Sequence, residues 1–161
     1  MKKLLDKILV FIALLIAGLM PVYSADIFSH TVLLMPNDLD NEKPWVKVIK
    51  NQQEWEAYFY ATTAAVSYPI GKAPVAPKLD FNHYQVIAGG LGLRFSGGYS
   101  LSIDSVHTSE DAMTIHLLDI RPGVRCLVTM GLTQPTMTIM VKKTDNPIHY
   151  IVSEVIFPCA E

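Results

Sequence analysis

Apolar and polar residues alternate with a period of two in several segments of this chain, and one segment repeats instead at helical spacing. Tyr99, Leu101 and Ile103 alternate with Ser100, Ser102 and Asp104, the signature of a half-buried strand. Thr108–Asp111 supplies a turn, and Met113, Ile115 and Leu117 alternate with Thr114 and His116 on the return, which predicts an antiparallel hairpin. Met137, Ile139 and Val141 face one way along a further strand, and Asp145-Asn146-Pro147 turns the chain into a final one over about His149–Ile156. Upstream, Thr31–Met35 and Trp45–Ile49 predict a hairpin around the polar turn Pro36–Asn41. Tyr84–Ala88 and Leu93–Phe95 predict two short strands on either side of Gly89-Gly90-Leu91-Gly92. That cluster has neither phosphate-binding spacing, G-x-G-x-x-G or G-x-x-x-x-G-K-[ST], and is expected to mark a strand bend or bulge.

One segment carries a helical rhythm instead. Trp55, Tyr58, Phe59 and Thr62 recur at helical spacing, and Asn51 followed by Glu54 makes an N-terminal capping pair, so a helix is predicted over Gln52–Thr63. A lone amphipathic helix must bury one face, so its aromatic stripe is assigned to core packing, together with Trp45. The fold class is α+β, a mainly antiparallel sheet of six to eight strands with one amphipathic helix near the mature N-terminus. Pro69, Gly71, Pro74 and Pro77 interrupt the chain between Ser67 and Lys78, placing a seam between a 25–78 subregion and a 79–157 β domain. The first part is too short to hold much core alone, so one continuous domain is expected.

The length and the apolar fraction of one half fit a single packed domain and exclude a disordered chain. Part of that apolar content belongs to residues 1–24. Lys2, Lys3 and Lys7 precede the apolar stretch Ile8–Met20, then Pro21 and Val22-Tyr23-Ser24, the layout of a secretory signal with cleavage expected after Ser24. A helix of about 13 apolar residues spans only about 20 Å, so stable membrane insertion is not expected. The alternative is retention of this segment as an uncleaved anchor. The export reading implies a periplasmic or extracellular protein. Basic residues in the remainder are scattered, with Lys142-Lys143 their one adjacent pair, which excludes a nucleic-acid-binding stripe.

Export also decides the cysteines. Cys126 and Cys159 reach a compartment where disulfides persist and are expected to be bridged. His30, His83, His107, His116 and His149 stand singly without metal-ligand spacing, and no G-x-S-x-G elbow is present. Catalytic residues, metal and cofactor are therefore all expected to be none, and the protein is not expected to be an enzyme. The segment Phe95-Ser96-Gly97-Gly98-Tyr99 combines two glycines that permit positive φ with two aromatic residues, which suits a recognition loop and a tight structural turn alike.

The stretch from about Leu79 to Val155 resembles the C-terminal domain of the PrcB family, exported proteins described as subunits of a bacterial protease complex. The resemblance rests on Asp80-Phe81, on Tyr84-Gln85-Val86-Ile87-Ala88, and on Ser96-Gly97-Gly98-Tyr99 leading into an alternating strand where the family carries Thr-Gly-Gly-Tyr. It continues through Pro122-Gly123, Cys126, Thr133-Gln134-Pro135 and Val141-Lys142-Lys143. It implies a non-catalytic accessory protein that binds and stabilises a secreted or envelope protease. Contact is then expected through Phe95, Ser96, Gly97, Gly98, Tyr99, Arg121, Pro122, Gly123, Thr133 and Pro135, if these loops share one end of the sheet. No cysteine follows the apolar run, so the lipid anchor of some relatives is not expected here. The same residues also resemble chagasin-like inhibitors of cysteine proteases, through Ser96-Gly97-Gly98-Tyr99 and Arg121-Pro122-Gly123. The inhibitors' Asn-Pro pair and loop tryptophan are missing from them. A structural envelope protein without a specific partner is the third class.

Overall fold

The computed structural model describes residues 30–33, 35, 41–64 and 74–159. The expected signal segment, most of the Pro36–Asn41 turn and much of the Ser67–Lys78 seam lie outside the described residues. Within them the alternation resolves into seven strands and one helix: β1 (Thr31–Val32), β2 (Trp45–Ile49), α1 (Gln52–Ala64), β3 (Tyr84–Gly90), β4 (Ser100–Thr108), β5 (Met113–Pro122), β6 (Thr136–Lys142) and β7 (Ile148–Phe157). The expected α+β class is the observed one. The strands form two sheets, an antiparallel one in the order β1-β6-β3-β2 and a second in the order β4-β5-β7. In the second sheet β4 pairs antiparallel to β5, whereas β7 runs parallel to it. That one parallel pair arises because the chain leaves β5, crosses to the first sheet as β6, and only then returns.

Burial explains which strands take the centre. Ile87 packs with Met137, Ile139 and Val141 against Val106, Met113, Ile115 and Leu117 of the second sheet. Val86 and Ala88 face the other way, onto Ile49 and the helix residues Trp55, Tyr58 and Phe59. β3 is therefore covered on both faces, by sheet and by helix, which is why its sequence is almost continuously apolar. The helix begins as expected: the Glu54 amide donates to Asn51 Oδ1 at 2.8 Å, and the Lys50 amide donates to the Glu54 carboxylate at 3.0 Å. These hydrogen bonds, the Lys50 one foremost, hold the Glu54 carboxyl below its ordinary value. Tyr58 and Thr138 share a buried hydrogen bond of 2.9 Å that ties the helix to β6.

Two expectations are corrected and a third is narrowed. β1 and β2 do not pair as a hairpin; β1 lies on β6 and β2 on β3, at opposite edges of the sheet. A central β3 needs neighbours on both sides, and β2 and β6 fill them, leaving β1 the outer flank. Leu93–Phe95 forms no strand beyond a single bridge between Arg94 and Thr133, because Gly92 at φ +74° turns the chain. The glycine cluster holds no bulge, and its expected bend falls at Gly92, after β3 has ended. Gly89 and Gly90 are regular β3 residues, and a Cβ on Gly90 would stand 2.7 Å from Trp45 Nε1. The close approach of that indole, which is only half-buried, is what requires glycine there.

Candidate partner-binding loop end

Three connections emerge at the same end of the two sheets: Leu91–Tyr99 between β3 and β4, Gly123–Pro135 between β5 and β6, and the end of β7. Backbone hydrogen bonds lace them together. Arg94 and Thr133 exchange amide bonds of 2.8 and 2.9 Å, the Gly97 amide donates to Thr129 O at 2.9 Å, and Thr133 Oγ1 donates to Ser96 O at 2.8 Å. The Gly123 amide donates to Phe157 O at 3.0 Å, and the Cys126–Cys159 disulfide, Cα to Cα 5.2 Å, fastens the long loop to the segment after β7.

Glycine is needed at two places. Gly98 sits at φ +85°, and a Cβ there would press on Val128 and Pro122. Gly97 is buried, and a Cβ would run into the Thr129 hydroxyl. The Ser96–Tyr99 segment is thus a tight turn packed on the second loop, and it carries Phe95 outward with 82% of its surface exposed.

An ion network sits under the loops. The Asp119 carboxylate, with its residue only 3% exposed, accepts from Arg121 Nε at 2.9 Å and Nη2 at 2.6 Å, and Arg94 Nη2 lies 3.8 Å away. Arg121 also reaches Glu154 of β7 at 2.7 Å. Its guanidinium is held above its ordinary value, chiefly by the hydrogen bonds to Asp119. The Arg94 guanidinium lies over the Tyr99 ring, 5.7 Å from its centroid. Arg94, Asp119, Arg121 and Glu154 therefore join β5 and β7 to the first loop.

The structure places all ten expected contact residues at this end, in different degrees of exposure. Phe95 and Gly98 are exposed, Ser96, Tyr99, Arg121, Pro122, Gly123 and Thr133 are half-buried, and Gly97 and Pro135 are buried. Most of them shape the end, and other residues make its surface. Val124, Leu127 and Met130 are fully exposed, and Leu132, Ile156 and Phe157 are more than half exposed. Sequence reasoning passed over these apolar residues. The sequence offers only an apolar run, Leu127-Val128 through Met130 and Leu132, between the breakers Pro122-Gly123 and Pro135; that the run belongs to no strand is a fact of the structure.

Elsewhere, His107 and His116 meet edge to face with centroids 5.6 Å apart on the outer face of the second sheet. No group of three or more His, Cys, Asp or Glu gathers for a metal ion among the described residues. Among those residues no helix is long and apolar enough to cross a membrane.

Residues 85–142 match the family model described as PrcB C-terminal. The match runs from β3 through β6, so it contains the first two loops, the turn at Gly98 and Asp119; β2, α1 and β7 lie outside it. No curated protein and no solved structure matches the chain.

Proposed function

From a chain that carries a PrcB C-terminal domain, we propose an exported, non-catalytic protein-binding module, an accessory subunit that stabilises a secreted or envelope protease by seating its loop end on it. One observation carries this reading. Phe95, Val124, Leu127 and Met130 stand almost entirely in water at an end whose backbone is crosslinked by a disulfide and by loop-to-loop hydrogen bonds. Apolar side chains grouped on a surface mark a protein contact, and fixing them before binding reduces the ordering cost of association. The Asp119 network serves the same purpose by holding the first loop to β5 and β7.

The reaction chemistry belongs to the partner in this reading. The test is the lifetime of a protease recovered with this protein from its host's envelope or secreted fraction. An accessory subunit lengthens the protease's active half-life without lowering its turnover. Loss of turnover on adding the protein would instead place it with chagasin-like inhibitors, and no effect on a bound protease's lifetime or turnover would contradict both readings.

A further inference from the structure

We infer that the outer edge of β7, which pairs with no strand among the described residues, is a self-association surface, at which β7 of a second copy of this chain pairs antiparallel. The register fixes which groups are on offer. The carbonyls of Pro147 and Phe157 accept from the amides of Met113 and Gly123 on the β5 side, at 2.9 and 3.0 Å, and the β5–β7 register runs unbroken between them. Odd-numbered residues of β7 therefore bond β5. Ile148, Tyr150, Val152, Glu154 and Ile156 turn their N–H and C=O toward the open side.

Such an edge invites pairing unless something blunts it. The other outer strands are blunted. β1 is only two residues long, β2 carries Lys47, and β4 is interrupted by a register shift between Ile103 and Ser105, beside Asp104. β7 runs for ten residues, IHYIVSEVIF, with no proline, glycine, lysine or bulge. Ile151, Val152, Ile156 and Phe157 along it are exposed. Beside this edge the two sheets stand apart. An apolar cleft of about 240 Å³ opens there, lined by Trp45 and Val46 of β2 and by Tyr150 and Val152 of β7. A strand added to β7 covers that opening.

A second copy fits because β7 complements itself. Centred on Val152, an antiparallel pairing keeps core-facing residues on the same side in both copies and sets Glu154 opposite the second copy's Tyr150. The one carboxylate on the strand, already paired to Arg121 at 2.7 Å, then meets a phenol rather than its own mate. The interface is two-fold and closed, so it stops at a dimer. Its two loop ends point in opposite directions. This inference does not depend on the loop end being a binding site.

The test is sedimentation of the full, disulfide-bonded chain over a range of concentrations, combined with residue-resolved amide exchange. The expected result is a species of twice the chain mass that dissociates on dilution. Amides of Tyr150, Val152 and Glu154 then gain protection with concentration, while those of His149, Ile151 and Ser153 are protected throughout. Val152→Pro removes a donor only from the open edge, and Val152→Lys places a charge there, so either variant is monomeric with its melting temperature near that of the parent. If Val152→Pro fails to fold, Val152→Lys and the exchange pattern still decide. A monomer at every concentration would overturn the inference. So would association that persists in both variants, which would assign it to another segment, or edge protection that appears only on adding a protease, which would assign the edge to that partner.

Discussion

Asp119 organises the loop end because one buried carboxylate meets Arg121 directly and has Arg94 close by. Removing it leaves two guanidinium groups without their common partner. Asp119→Ala is expected to cost about 1–3 kcal/mol, below the figure for a fully buried pair because Arg121 is more than a third exposed. Urea unfolding checks it, and an unchanged midpoint would mean that the network contributes no net stability. Single residues were legible in the sequence where their requirement is local. The Ser96–Tyr99 turn needs glycine at a positive φ, and Gly97-Gly98 announces it. The exposure of Leu127 and Met130 was not legible, since an apolar run signals a core until its lack of a sheet partner is known. Trp45 and Trp55 both pack in the expected core, Trp55 at 1% exposure and Trp45 half-buried, where it also lines the cleft.

Elements set by neighbouring residues were likewise the readable ones. The capping pair and aromatic spacing located α1 to within a residue of its observed end, and alternation located β4 and β5. Pairing between distant strands was not readable, because alternation reports which face is buried and not which strand lies beside it. Hence β1 was matched to β2 rather than β6, and the parallel β5–β7 pair went unforeseen. The disulfide acts at this scale, closing a loop of 33 residues of separation that contains β6 and β7. Replacing both cysteines by serine is expected to lower stability by about 3–4 kcal/mol in the chain-entropy account. It also frees the end of the long loop, so exchange of amides 123–132 accelerates more than that of β3 and β6. Equal acceleration everywhere would show that the bridge stabilises the fold without fixing the loop.

For the whole molecule, the two-sheet arrangement decides where the proposed contact surface lies. β3, β5 and β7 all finish at one end, so segments far apart in the chain deliver one apolar surface on a shared, crosslinked base. The family match covers β3 to β6 and the two loops between those strands at this end, and leaves β7 outside it. The most direct measurement of the accessory reading is affinity capture from the host's envelope and secreted fraction with the wild type and a Leu127→Ser/Met130→Ser variant, read by mass spectrometry. Because both side chains are fully exposed, the variant is expected to keep its melting temperature. The account predicts that the wild type recovers a protease and that this variant loses it by tenfold or more, an order of loss typical of removing two well-packed contacts. Equal recovery of the protease by both proteins would contradict the loop end as the binding surface.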